Sequence, residues 1–234
     1  MGCNIGQLRH APHSGEAYQT MQTMKELERH ASPGGRPQPL AFHEGTLWVG
    51  SWDTKNLYAI DPKTWSVLDE VAAPGQPYGL ASLAGELRVV VSIGEEDDRY
   101  FYRFVPGKGF DAESKTPCPD LTGSHLATDG STLYLAQMTY QKILAFDAHG
   151  SVLREIALPT RSGGFGFGKG AFYMISADDE FENLQLATLD ITLDRPQPVF
   201  VAAMPEEARS LAFDGTAWWT NLRERNEMVS FTTT

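Results

Sequence analysis

Leu27-Glu-Arg-His-Ala-Ser-Pro33, Leu68-Asp-Glu-Val-Ala-Ala-Pro74 and Leu153-Arg-Glu-Ile-Ala-Leu-Pro159 are one phrase written three times, and a looser fourth copy runs from Val199 to Pro205. A second landmark keeps step with it. Gly45, Gly85, Gly130, Gly170 and Gly215 each end a short apolar run, at spacings of 40, 45, 40 and 45 residues. After each glycine comes an apolar stretch rich in β-branched or aromatic residues, such as Thr46-Leu-Trp-Val-Gly50, Thr132-Leu-Tyr-Leu-Ala136 and Ala217-Trp-Trp-Thr220. Turn residues bound these stretches, which therefore read as strands. A further strand follows at Asn56-Leu-Tyr-Ala-Ile60, Lys142-Ile-Leu-Ala-Phe146 and Met228-Val-Ser-Phe231, and the Leu-to-Pro phrase supplies the fourth.

Four strands in a unit of 40–45 residues is the blade period of an all-β propeller. Helical repeats of similar length are disfavoured, because Gly or Pro interrupts the apolar runs every ten residues or so. The last unit, Leu211 to Thr234, has room for three strands, and the phrase it lacks stands around residues 22–33. The predicted fold is a five-bladed β-propeller of four-stranded blades, with the N-terminal strand completing the last blade and removing exposed sheet edges. A sixth blade would need about 40 more residues.

Composition sets the boundaries of function. The 234 residues are 41% hydrophobic, enough for one domain with a sizeable core. The 22 glycines and 14 prolines are spread along the chain, as punctuation between short elements. The net charge of −11, with no basic stripe to offset it, excludes nucleic acid as a partner class. No apolar run approaches the ~18 residues of a membrane span. Cys3 and Cys118 form no Cys-x-x-Cys pair, so neither a zinc site nor a redox motif is expected. Met1-Gly2-Cys3 lacks the Ser or Thr that myristoylation requires at position 6, where Gly6 stands. Residues 1–17 read as a disordered leader or expression remnant, and 18–234 as a single domain. Without a signal-peptide pattern the default compartment is cytoplasmic, or extracytoplasmic if the chain is processed.

Pro77-Tyr-Gly-Leu80, Asp129-Gly-Ser-Thr-Leu-Tyr134 and Phe213-Asp-Gly-Thr-Ala-Trp218 carry a further likeness. In these phrases, across nearly the whole chain after residue 20, the sequence resembles the propeller superfamily that includes glutaminyl cyclases and streptogramin lyases. That resemblance implies the fold. It also implies that catalysis would rest on acidic or histidine residues at inner-strand starts. In the cyclases a Glu precedes a Gly-Leu pair, whereas here Tyr78 precedes Gly79-Leu80, which speaks against glutaminyl cyclase activity. A lyase-like histidine has one counterpart, His125, with no evident glutamate partner. The metal ligands of six-bladed lactonases are not matched.

Position within a blade sorts the candidate residues. Naming the strands of a blade a to d from the axis outward, the b–c and d–a loops share one face, where such propellers usually place ligands. Of the six histidines, only His125 maps to this face near the axis. Gln38, Tyr78 and Arg209 occupy equivalent inner-strand positions in other blades, and Trp52, Gln137 and Asn221 stand at the ends of b strands. The ring suits a small polar or anionic molecule. Arg209 offers a bidentate clamp for a carboxylate, His125 an acid or base near neutral pH, and Tyr78 and Trp52 the walls. No cofactor or metal is called for. The acidic loops Gly94-Glu-Glu-Asp-Asp98 and Ala177-Asp-Asp-Glu-Phe-Glu182 lack the ligand spacing of a calcium loop and read as a solvated rim on the same face. Gly163-Gly-Phe-Gly-Phe-Gly-Lys-Gly170 mimics a phosphate loop but lacks its Ser or Thr and its helix; it reads as an inner strand whose glycines relieve crowding. Two functions fit: a lyase or hydrolase working by proton transfer on a small polar metabolite, or a non-catalytic module that binds a small ligand or a protein partner.

Overall fold

The structure is a computed structural model that describes residues 22–147 and 149–234; the expected leader lies outside them. Its strands form five four-stranded antiparallel sheets. The first blade holds β2 (Pro37–His43), β3 (Thr46–Ser51), β4 (Asn56–Asp61) and β5 (Ser66–Ala72). The second holds β6 (Gln76–Leu83), β7 (Glu86–Ile93), β8 (Asp98–Val105) and β9 (Gly109–Pro117), and the third β10 (Leu126–Thr128), β11 (Leu133–Gln137), β12 (Lys142–Phe146) and β13 (Val152–Ala157). The fourth holds β14 (Arg161–Gly168), β15 (Ala171–Ala177), β16 (Gln185–Leu189) and β17 (Val199–Ala203). The fifth combines β18 (Ala212–Phe213), β19 (Trp218–Leu222) and β20 (Glu227–Thr233) with β1 (Met24–Ala31). The inner strands β2, β6, β10, β14 and β18 touch in cyclic order, which closes the ring. Among the described residues no helix is long and apolar enough to cross a membrane.

The landmark glycines are the a–b turns. All five have positive φ, from 76° at Gly170 to 98° at Gly130 and Gly215. At Glu44-Gly45, Ala84-Gly85 and Lys169-Gly170 both turn residues have positive φ, the two-residue geometry that matches strand twist. At Asp129-Gly130 and Asp214-Gly215 the aspartate does the work instead. Asp129 Oδ1 accepts from the backbone of Ser131 and Thr132, and Asp214 Oδ1 from Thr216 and Ala217. The second oxygen of each reaches an aromatic of the next strand, Tyr134 or Trp219. That is why Asp-Gly and a downstream aromatic recur together in the sequence.

The repeated phrase is the outer strand of a blade. Its leading leucine is exposed (Leu27 46%, Leu68 60%, Leu153 59%). The position three residues on turns inward, and Ile156 and Ala202 are fully buried there. In the first copy that position is His30, whose ring stacks on Trp65 with centroids 4.1 Å apart. Trp65 in turn stacks near Trp219 (5.7 Å) and donates its indole N–H to Ala31 O (2.9 Å). β1 therefore closes blade five by pairing with β20, from Met24↔Thr233 to Ala31↔Glu227, and is stitched sideways to blade one.

Gly164 stands where two blades meet. A Cβ there would lie 2.3 Å from Ser210 Cα and 2.7 Å from Arg209 O, both backbone atoms of the next blade. At Gly166 the nearest atoms would be 3.3 Å away. Gly164→Ala should therefore destabilise by about 1–3 kcal/mol, the cost of overpacking a core, and by more than Gly166→Ala, whose neighbours are less crowded. Paired thermal melts test this; equal melting temperatures for the two variants would contradict the packing argument.

Candidate functional site

Each inner strand delivers consecutive residues to the axis, and these stack in levels. Gln38, Tyr78, Ser124, Gly163 and Arg209 line the upper cavity, one from each blade. The next residues, Pro39, Gly79, His125, Gly164 and Ser210, surround a constriction with the apolar ring of Leu40, Leu80, Leu126, Phe165 and Leu211. Only about 10 Å³ is free at that level, room for one water at most. The axis is thus blocked, and the cavity above it is a blind pocket of about 290 Å³ opening on the face of the b–c and d–a loops.

The pocket walls are aromatic. Trp52 donates its indole N–H to Pro77 O (2.8 Å), so its ring is fixed and shows a face. Tyr78 lies 4.6 Å from it. Four guanidinium groups cover these two rings and a third. Arg99 sits 3.3 Å over Tyr78, Arg223 4.5 Å and Arg36 5.0 Å over Trp52, and Arg209 5.3 Å over Phe181. Such stacking holds a guanidinium in place while leaving its N–H edge available. Arg99 is already engaged by Asp97 and by Gly123 O. Arg209 and Arg223 are not saturated: the Nε of each is buried without a hydrogen-bond partner.

Among the described residues three arginines, Arg161, Arg209 and Arg223, line the pocket, and no Asp or Glu does. Of the three, only Arg209 was singled out from the sequence. Glu224 lies 3.6 Å from Arg223 and Asp179 3.8 Å from Arg161, both carboxylates outside the lining. The imbalance is felt by the groups themselves. Burial lowers the pKa of Arg209, and burial together with the charge of Arg209 lowers that of Arg223 to about 10. Of the two acidic loops, only Asp179 reaches a pocket arginine among the described residues. Asp97 is engaged by Arg99 and Ser92, and Asp178 caps its own loop through Glu182 N and the Asn183 amide.

His125 lies at the pocket floor, 4% exposed. Burial first, then Arg223 and Arg209, bring its pKa from 6.5 down to about 3. The imidazole is therefore neutral near pH 7, not the titrating group the sequence suggested. Its tautomer follows from its neighbour. Ser210 gives its one hydroxyl proton to Gln38 O, so the His125 Nδ1 that lies 3.4 Å from Ser210 Oγ carries the hydrogen, and Nε2 keeps the lone pair.

Of the seven residues singled out from sequence, Gln38, Trp52, Tyr78, His125 and Arg209 come together on the pocket. Gln137 and Asn221 do not line it. The Gln137 amide donates to Pro119 O (2.7 Å) and Thr122 O (3.3 Å). Asn221 accepts from Ser210 N (2.9 Å) and donates to Gln38 O (3.0 Å), joining blade five to blade one. Sequence position missed Arg161, Arg223, Met138 and Phe181. Arg223 and Met138 follow the b-strand ends Asn221 and Gln137 by one or two residues, so the signal lay just past the positions sampled. Cys118 is buried, and burial pushes its thiol up to about 12, away from nucleophilic use.

No protein-family model matches the chain, and no curated protein matches it in sequence. Solved structures do match in shape. Glutaminyl cyclase from Myxococcus xanthus aligns with a TM-score of 0.69 and 11% identity, over 91% of this chain and 97% of that one. The chain shares the propeller fold of that structure. The PQQ-bound aldose sugar dehydrogenase from Streptomyces coelicolor aligns at 0.59 with 13% identity, over 91% and 98% of the two chains. A catalytically inactive virginiamycin B lyase from Staphylococcus aureus, solved with quinupristin, aligns at 0.55 with 13% identity, over 86% and 82%. The propeller is thus shared with a cyclase, a dehydrogenase and a lyase, and at these identities the likeness concerns the fold.

The neutral His125 has a consequence for stability. Unfolded, it titrates near 6.5, and folded near 3. Between these values the unfolded chain takes up a proton that the native state refuses. Stability present above pH 6.5 is therefore lost as pH falls toward 3, by about 1.4 kcal/mol per pH unit. Melting curves of wild type and His125→Gln from pH 7.5 to 4.5 should show a shallower acid decline in the variant; parallel declines would contradict the assignment.

Proposed function

We propose that the chain is a ligand-binding propeller whose axial pocket takes a small organic anion with an aromatic or apolar body. One observation carries this reading: among the described residues three arginines and no carboxylate line the pocket in a chain of net charge −11. Desolvated cations are costly, Arg209 and Arg223 each bury an Nε without a hydrogen-bond partner, and an incoming carboxylate or phosphate ester relieves that cost through charge-assisted, bidentate contacts. Trp52, Tyr78 and Phe181 supply flat apolar surface for the ligand body. At ~30 Å³ per water-sized volume, the cavity holds roughly ten non-hydrogen atoms, a metabolite rather than a polymer.

The proton-transfer reading, a lyase or hydrolase with His125 as base or acid, has less support. General acid–base work favours a pKa near the operating pH, and the His125 pKa is about 3. Among the described residues that line the pocket, no carboxylate stands at the ring of His125. Binding is the function these residues serve best.

Benzoate and phenyl phosphate, with benzyl alcohol as the neutral control, test the proposal by thermal shift and calorimetry. Either anion at 100 times its dissociation constant should stabilise by about 2.7 kcal/mol, and the alcohol should have no effect at equal concentration. Arg209→Ala and Arg223→Ala should each weaken the anion by roughly 10- to 100-fold, the range for a charged hydrogen bond of ~1.5–3 kcal/mol. Equal binding of the alcohol, or affinity untouched by both substitutions, would refute the reading.

A further inference from the structure

Two of the pocket arginines act on each other. Arg209 stands on the upper level with Gln38 and Ser124, just before β18, and Arg223 follows β19 in the b–c loop of the same blade. Different rings hold them, Phe181 at 5.3 Å and Trp52 at 4.5 Å. The charge of Arg209 is nevertheless felt at Arg223, and so is that of Arg36, which lies 5.0 Å over the same Trp52. One carboxylate, Glu224, acts on both. It lies 3.6 Å from Arg223 Nε and is 57% exposed, where solvent weakens its hold. Glu207, which also acts on Arg209, faces Arg225 at 3.7 Å. Arg161 adds a third guanidinium from blade four, with Asp179 at 3.8 Å. The Nε atoms of Arg209 and Arg223 are buried beyond the reach of a ligand, so recognition falls to the outer N–H edges. Arg209 already donates one of these to Ala208 O (3.2 Å).

We infer that the ligand of this pocket is a small phosphate monoester, bound as its dianion across Arg209 and Arg223 and preferred over carboxylates and other monoanions. The inference rests on the anion-binding reading above and narrows it. A group held by both arginines sits between two like charges that repel. A carboxylate offers the pair one negative charge to divide. A phosphate monoester offers nearly two at neutral pH, one for each guanidinium, and its three terminal oxygens match three arginine forks. Charge decides more than shape here, because partial burial strengthens attraction to every neighbouring cation. The cavity of about 290 Å³ has room for one phosphoryl group on one ring.

Phenyl phosphate and phenyl sulfate separate charge from shape. Both place a tetrahedral oxyanion on the same ring, but at pH 7.5 the first is a dianion and the second a monoanion. In calorimetry, wild type should bind phenyl phosphate at least tenfold more tightly than phenyl sulfate or benzoate, and more tightly than inorganic phosphate. Arg223→Gln, which removes one of the two charges, should reduce the preference for phosphate over sulfate to threefold or less. In wild type that preference should also shrink toward 1 between pH 7.5 and 5, as the phosphate takes up a proton near pH 6. This second measurement carries the test if Arg223→Gln does not fold. Over that range Arg209 and Arg223 (about 10) stay charged, Tyr78 stays protonated and His125 (about 3) stays neutral. Phenyl sulfate, measured at each pH, reports any change in Arg36, Arg161, Asp179, Glu207 or Glu224. Equal or tighter binding of phenyl sulfate or benzoate overturns the inference while leaving anion binding intact. A preference unmoved by pH, or by Arg223→Gln in the folded variant, also overturns it, as does inorganic phosphate binding as tightly as the ester. Failure of all four anions to bind overturns both readings.

Discussion

Five strands converge on one axis, and the crowding there governs everything above it. At the level of His125 the other blades present Pro39, Gly79, Gly164 and Ser210. A Cβ on Gly79 would lie 2.4 Å from Ser124 O, and one on Gly164 2.3 Å from Ser210 Cα. Neighbouring backbones therefore touch, and only one large polar side chain fits in the layer. That is why the imidazole is fully enclosed, and enclosure is why it stays neutral. The apolar ring beneath it plugs the axis. What would otherwise be a water-filled channel becomes a pocket with a floor.

Above the floor, charge and aromatic surface are arranged together. A guanidinium stacked on an aromatic ring keeps most of its charge outward while losing side-chain freedom. Arg209 on Phe181 and Arg223 on Trp52 are such pairs, and Trp52 is itself fixed by Pro77 O. The arginines are pre-positioned by rings that are pre-positioned by backbone. A protein of net charge −11 thus concentrates positive charge at one spot, where low dielectric strengthens its interaction with an anion. Exposed charges are screened within about 10 Å, so of the acidic groups only near ones such as Glu224 and Asp179, just outside the lining, temper the pocket.

The fold was legible because its signals are local. Asp-Gly turns, a glycine at each a–b corner and the outer-strand phrase each report on a few neighbouring residues, and their period gives the blade. The ring of inner-strand residues was legible too, since the residues just upstream of the landmark glycines include Gln38, Tyr78 and Arg209 at one level and His125 at the next. Loop residues escaped that count. Arg223, Arg161 and Phe181 reach the pocket from loop or strand-end positions whose course no periodicity fixes. Gln137 and Asn221 occupy the counted positions, yet their amides face the backbone carbonyls of Pro119, Thr122 and Gln38. A strand-end position says which face a residue is on; the carbonyls within its reach decide where the side chain turns. The charge state of His125 was likewise invisible, because it depends on burial and on two arginines distant in sequence.

Blade five is assembled from both ends of the described chain, and this bears on when the pocket comes into being. Each of the other four blades is a run of consecutive strands that needs only its own segment. β1 waits for β20, about two hundred residues later, and pairing across such a separation is slow because the loop entropy is paid before contacts reward it. Arg209, Ser210 and Arg223 all belong to the segment around β18 and β19 that this late pairing locks in place. On that argument this wall of the pocket forms late and loosens when the seam opens. A ligand held by those arginines would act as a clasp on the ring, tying occupancy of the pocket to the lifetime of the closed circle.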